Sequence, residues 1–236
     1  MGDLRKVLVP GAVVVDLGCA GGVAWLGREA TAIGVDISFA SLLEAAKVYR
    51  AAVQADVQRL PLSDSSADLV WGSYFFEHLL PEEKDACLQE CRRILRPGGA
   101  LVLQFDVLSN NRLTRFALRD PERFARGFVE NDGHVGLEPL PDAIERIRNN
   151  GFEVAKVRKF GTTSLQYLAT YNWLALGYAD THKWVALLAR STDFLSRSKL
   201  GLFYEFAVTA FDRLIDPISK PENASRTIVV ATKSQG

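Results

Sequence analysis

The run Val14-Val15-Asp16-Leu17-Gly18-Cys19-Ala20-Gly21-Gly22 constrains this chain more than any other stretch. An apolar segment ends in an acid, and Gly18, Gly21 and Gly22 follow at once. The apolar segment reads as a buried parallel strand and the glycines as a sharp turn into a helix. Glycine there lets a ligand approach the backbone. The turn amides and the helix N-terminus offer free N–H donors and a positive potential. Strand, glycine turn and helix in that order predict a parallel sheet with a ligand crevice at the carboxyl ends of its strands.

The 236 residues are enough for one substantial core, and the formal net charge is zero. That balance argues against non-specific nucleic-acid binding. Asp3, Arg5 and Lys6 precede Val7 with no long apolar run after them, so no secretory signal is expected. No stretch reaches the ~18 apolar residues of a membrane span. Cys19, Cys87 and Cys91 are odd in number and lack zinc spacing. Cys87 and Cys91, one turn apart on an expected helix, read as buried thiols of a reduced, cytoplasmic protein.

Strands are expected over 12–17, 32–36, 52–56, 68–73, 100–105, 152–160 and 226–233. Helices are expected from Gly22, over 38–50 with Ser38 as cap, and over 82–95, stopped by Pro97-Gly98-Gly99. Further helices are expected over 110–118, over 121–128 with Asp120 as cap, and over 141–149. The 65 residues of 161–225 read as helical, and Leu202, Phe203, Phe206, Ala207, Ala210 and Leu214 mark an amphipathic helix. Alternation of strand and helix predicts a doubly wound α/β fold. The whole chain, 1–236, is expected to be a single domain, with 107–140 and 161–225 as substrate-side insertions.

Asp36 closes the second strand, twenty residues after Asp16, where a carboxylate can take both hydroxyls of a ribose. Asp56 closes the third. One acid at a strand end commonly caps a turn; three on one edge beside a glycine turn point to a ligand.

These residues carry a resemblance to the class I S-adenosylmethionine-dependent methyltransferases, in the small-molecule group related to the ubiquinone and menaquinone enzymes. Asp16–Gly22 resembles that family's first motif and Ile33-Gly34-Val35-Asp36-Ile37-Ser38 its second. The third is matched by Ala55-Asp56-Val57-Gln58-Arg59-Leu60-Pro61-Leu62 leading to Ser66-Ala67-Asp68-Leu69-Val70. Glu77-His78-Leu79 and Glu90-Cys91-Arg92-Arg93-Ile94-Leu95-Arg96-Pro97-Gly98-Gly99 also match. The likeness covers roughly 9–106 and resumes at Gly151-Phe152-Glu153-Val154 and the last strand. It implies a Rossmann-like seven-stranded sheet of order 3-2-1-4-5-7-6, with the last strand antiparallel. It implies S-adenosyl-L-methionine as cofactor, with S-adenosyl-L-homocysteine as product. The backbone of Gly18, Cys19, Ala20 and Gly22 would face its methionine part, and Asp16 would hold the turn and orient the amino group. Asp36 would bind the ribose, with Ile37 against the adenine. Asp56 and the Val57 amide would read the adenine edge, and Ser73 and Tyr74 would lie near the methionine end. Ala20 departs from a family glycine, and a positive φ there would be uncomfortable for alanine.

The acceptor is expected to be a small or lipid-like molecule, methylated on oxygen rather than nitrogen or carbon. An oxygen nucleophile gains from a base near pH 7. His78, after the fourth strand, and His134, in the loop after the fifth, are the candidates, each with packing or loop-fixing as the alternative. His182 is expected to be exposed. Arg112, Arg115, Arg119, Arg123 and Arg126 recur at helical spacing, as an anionic-substrate site or a solvated face. With few residues ahead of the first strand, water must be excluded by 107–140 and by the insert 161–225. The insert reads as a lid, a homodimer surface or a membrane contact. Its six Lys/Arg and six Asp/Glu over 162–225 lack the basic excess of a membrane-surface helix. Two rival functions remain: a nicotinamide-dependent oxidoreductase, and a non-catalytic cofactor-binding subunit. The glycine spacing does not give the dinucleotide pattern.

Overall fold

The computed structural model describes residues 8–234; Asp3, Arg5 and Lys6 lie outside the described residues. In chain order the elements are β1 (Val13–Leu17), α1 (Ala24–Glu29), β2 (Thr31–Asp36), α2 (Phe39–Ala45), β3 (Ala51–Gln54) and β4 (Ala67–Ser73). Then come α3 (Pro81–Ile94), β5 (Leu95–Asp106), α4 (Arg112–Ala117), α5 (Pro121–Phe124), α6 (Leu140–Asn149) and β6 (Phe152–Phe160). The remainder is α7 (Leu168–Tyr178), α8 (Lys183–Ser196), α9 (Lys199–Ile215) and β7 (Arg226–Lys233). The strands form one sheet of order β3-β2-β1-β4-β5-β7-β6, with β7 antiparallel, as the resemblance implies.

β1 lies between β2 and β4, parallel to both, with Asp16 in register with Gly34 and Trp71. Val14, Val15 and Leu17 are buried. A strand covered on both faces has no polar side to show, which is why its sequence is a continuous apolar run.

Three boundaries differ from expectation. α2 ends at Ala45, not near 50, because Lys47 and Val48 bond to the carbonyls of Glu44 and Ala45, three residues back. That tightening folds Tyr49 beneath the glycine turn. β3 stops at Gln54, so Asp56 stands in the following loop rather than at the strand end. α3 ends at Ile94, one residue before the expected 95, with Leu95 already extended at ψ 135°. Leu95 pairs with Ala67, and Pro97-Gly98-Gly99 lies within β5 at the register shift opposite Ala67 and Leu69. Proline holds Arg96 extended, which both bars the helix from continuing and suits the bulged strand that follows.

The described chain divides into two compact units. The first contains the residues up to Asp106, Asp142–Val157, and the chain from Ile228. The second contains Val107–Pro141 and Arg158–Thr227, so the two stretches set apart by sequence fall together. In the first, Cys19, Cys87 and Cys91 are buried free thiols.

The second unit has its own apolar centre of Ala117, Phe124, Leu174, Tyr178 and Val185. Trp173 stands edge-on to Phe128 at 4.4 Å and to Phe124 at 5.7 Å. His182 is not exposed: its ring stands edge-on to Phe116 at 4.9 Å. Asp120 caps α5 by accepting from the Arg123 amide, but regular helix lasts only to Phe124 and widens to a π-turn over Ala125–Glu130. Arg123 pairs with Asp180 at 2.6 Å and donates to the Gly177 carbonyl, so this arginine is structural.

α9 reverses the expected facing. Tyr204 donates to the Gln166 carbonyl, Glu205 accepts from the Leu168 amide and Asp212 accepts from the Gly161 amide. Its buried positions are Gly201, Val208 and Asp212, whereas Leu202, Phe203, Phe206 and Leu214 are exposed. The apolar stripe is real but is not the packing face. The backbone of 161–168 needs hydrogen-bond partners, and the polar side of α9 supplies them.

Candidate functional site

β1 ends at Leu17 and the chain turns at Gly18, whose φ is 60°. A Cβ there would fall 2.6 Å from the Phe75 Cβ, so packing as well as backbone geometry requires glycine. Ala20 has φ 45°, the left-handed conformation uncomfortable for alanine. Such a residue costs roughly 1–2 kcal/mol. What holds it is Asp36, whose Oδ2 accepts from the Ala20 amide at 2.9 Å. Asp36 Oδ1 accepts from the Ser38 amide at 2.8 Å. Two amides thus fix the carboxylate, and each oxygen keeps a further lone pair. Beside it Ile37 is 75% exposed.

Asp16 is buried beneath the turn. The Tyr49 hydroxyl donates to Asp16 Oδ2 at 2.5 Å and accepts from the Val23 amide at 2.7 Å. Burial pushes Asp16 from an ordinary 3.8 to about 7; the Tyr49 hydrogen bond opposes the rise and the Asp36 charge adds to it. Cys19 rises to about 12, through burial and then the charges of Asp16 and Asp36. Tyr49 escaped sequence reasoning because nothing in its own neighbourhood marks it; only the early end of α2 delivers it.

Asp56 is exposed, and its Oδ1 accepts from the Gln58 amide at 2.9 Å. The loop that carries it is fastened to α3. Glu90 accepts from the Leu60 amide at 2.7 Å, and Arg93 donates to the carbonyls of Leu60 and Leu62. The Glu90–Arg93 motif is therefore a bracket for this loop.

At the end of β4, Ser73 leads into Tyr74, whose φ is 55°. The Tyr74 amide donates to the Gln104 carbonyl at 2.8 Å, and the Gln104 amide group donates to the Tyr74 hydroxyl at 2.6 Å. Glu77 is buried. Burial, reinforced by Asp106, raises it from 4.5 to about 7, against nearby Lys84. Its Oε1 accepts a long bond from the Asp106 amide, and its Oε2 has no hydrogen-bond partner among the described residues.

Gly18, Asp36, Ile37, Asp56, Val57, Tyr74 and His78 together line a cleft of about 430 Å³. Among the described residues its charged lining is Asp36, Asp56 and Glu83, with no lysine or arginine. Asp16 and Cys19 are buried, and Ala20, Gly22 and Ser73 do not line the cleft. His134 belongs to the second unit, its ring edge-on to Phe128 at 4.7 Å.

Residues 15–103 match a family model described as a methyltransferase domain. The chain is 35% identical over 142 residues to malonyl-(acyl-carrier protein) O-methyltransferase of Enterobacter lignolyticus (strain SCF1). That alignment covers 58% of this chain and 54% of the relative, so the chain spans about half the relative's length. Among solved structures, the cyclase SpnF superposes with a TM-score of 0.62 at 20% identity, over 99% of this chain and 80% of that one. Geranyl diphosphate C-methyltransferase of Streptomyces coelicolor A3(2), in complex with S-adenosyl-L-homocysteine, gives 0.61 at 12% identity, over 98% and 77%.

Proposed function

We propose that the chain is a class I S-adenosylmethionine-dependent methyltransferase and that it transfers a methyl group from that cofactor to an oxygen of a small-molecule or lipid-like acceptor. The observation that carries this reading is the charge of the cleft: three carboxylates and, among the described residues, no lysine or arginine. A sulfonium bearing an ammonium group is favoured there, whereas the pyrophosphate of a nicotinamide cofactor would meet only like charge. Oxygen as target is supported by the named relative; nitrogen and carbon are the alternatives.

The residues fit the cofactor group by group. Asp36, held by two amides, offers its remaining lone pairs to the ribose hydroxyls. Exposed Ile37 offers apolar surface to the adenine, and Asp56 with the Val57 amide offers an acceptor and a donor to its edge. Gly18 on the cleft, with Asp16 and Tyr49 holding its turn from beneath, shapes the methionine end. Bound there, S-adenosylmethionine supplies a methyl group already activated on sulfur. What remains for the protein is alignment, exclusion of water and, for a hydroxyl acceptor, removal of its proton. The buried free thiols fit a reducing compartment, and cytoplasmic placement with no nucleic-acid partner belongs to this reading. No described helix is long and apolar enough to cross a membrane.

Calorimetry tests the proposal. S-adenosylhomocysteine should bind and NAD should not, and Asp36→Ala should weaken binding by roughly 1–3 kcal/mol. Binding of NAD alone would overturn the assignment in favour of the oxidoreductase; unchanged affinity in a folded Asp36→Ala protein would move the ribose elsewhere. The second reading is a non-catalytic cofactor-binding subunit that supports a partner. It predicts binding of the product without turnover of any acceptor by the chain alone.

A further inference from the structure

The second unit holds a cavity of about 380 Å³ whose chemistry is opposite to that of the cofactor cleft. Asn111, Arg112, Arg115, Thr162, Thr163 and Ser164 line it, and the remaining two lining residues are asparagines. Every one can donate a hydrogen bond from its side chain, and none is a carboxylate or an apolar residue.

The walls are built rather than incidental. Asn111, buried, caps α4 by accepting from the Thr114 amide at 2.9 Å and donates to the Gly161 carbonyl at 3.0 Å. That side chain ties the helix carrying both arginines to the loop carrying the hydroxyls. Gln166, fully buried, donates to the carbonyls of Gly161 and Thr163 at 2.7 and 2.6 Å. Asp212 accepts from the Gly161 amide at 3.1 Å. The Gly161 and Thr163 carbonyls are thereby occupied, and the Thr163 hydroxyl, which accepts from the Leu165 amide at 3.1 Å, keeps its own proton to donate.

Two observations point to a ligand. Arg112 and Arg115 stand one turn apart on α4, and neither has an ion pair among the described residues. Thr162 is 7% exposed, and its hydroxyl is buried with no hydrogen-bond partner among the described residues. A buried hydroxyl without a partner is costly, so a site that retains one has a use for it.

We infer that this cavity binds a small organic molecule through a phosphate or carboxylate group, held by the Arg112 and Arg115 guanidiniums and the Thr162–Ser164 hydroxyls. Paired guanidiniums supply the charge and the forked donors that an oxyanion takes, and the volume lies within the range of small-molecule sites. The inference does not depend on the methyl-donor cleft, whose lining lies wholly in the first unit.

Titration calorimetry of the full chain at fixed ionic strength, with glycerol 3-phosphate and with succinate as probes, tests it. At least one probe should bind saturably; the stronger of the two identifies the anion as phosphate or carboxylate. Arg112→Gln/Arg115→Gln should weaken that binding by about tenfold or more. Thr162→Val should weaken it by about fivefold while leaving the Tm of the ligand-free protein unchanged or higher, because it deletes an unpartnered hydroxyl. Absence of saturable binding by both probes would overturn the inference, as would equal affinity in the folded double variant.

Discussion

A hydroxyl acceptor must lose its proton as the methyl group arrives, and at neutral pH imidazole is the side chain best matched to take it. His78 lines the cofactor cleft, and His134 lies in the loop region after β5. If either is the base, its alanine variant should lose about 10²–10⁴-fold in turnover with product affinity kept. Near wild-type turnover in both variants would leave alignment as the sole contribution of the protein. At this scale the sequence exposed what chemistry demands locally. Asp36 could be read because an acid at that distance from a glycine turn has a use, and Ala20 because alanine in that turn has a cost. Tyr49 and Glu77 could not, since a tyrosine after a helix and a glutamate before a histidine acquire meaning only when folding buries them against Asp16 and Asp106.

The insert 161–225 was legible as helices but not in how those helices face. Period and amphipathicity locate α9 correctly; they cannot reveal that Tyr204, Glu205 and Asp212 serve the backbone of 161–168 and that the phenylalanines do not pack inward. β1 was easier, because an apolar run bounded by an acid and glycines has one good solution, a central parallel strand. The early start of β5 has the same root: a helix-stopping composition such as Pro97-Gly98-Gly99 is also a bulge-forming one. The insert leaves Leu202, Phe203 and Phe206 unburied, and connections of this length are usually functional. We propose that the insert receives the acceptor and shields it from water. Exchanging 163–223 for a short glycine-serine loop should spare cofactor binding and abolish acceptor turnover. A soluble exchange variant with normal turnover would assign the exposed apolar face to assembly, as a homodimer surface.

Among the described residues, three buried carboxyls titrate high: Asp16 and Glu77 near 7, and Asp212 above its ordinary value because of burial. The native state holds these protons where the unfolded chain releases them. Their contribution to stability is therefore fully present below about pH 4 and lost as pH rises toward 7. Asp68, despite partial desolvation, is lowered by the Val13 amide and Arg96, and Glu90 is lowered by Arg93; what they contribute is lost as pH falls. Stability should accordingly peak on the acid side of neutrality, at about pH 5. Urea midpoints at pH 5.5 and 8 check this: the midpoint should fall at the higher pH, and Asp16→Asn should flatten the fall. A higher midpoint at pH 8 would contradict the buried-proton account. The strand order has a consequence for the chain's birth. β7 is the last described strand to be synthesised, yet its place is between β5 and β6, both completed before the insert. At the ~5–20 residues per second of translation, the 65 residues of 161–225 hold that slot open for several seconds. During this interval the edges of β5 and β6 that β7 will join lie unpaired, so that among the described strands an interior slot of the sheet, and not just its outer edges at β3 and β6, is open to a foreign strand.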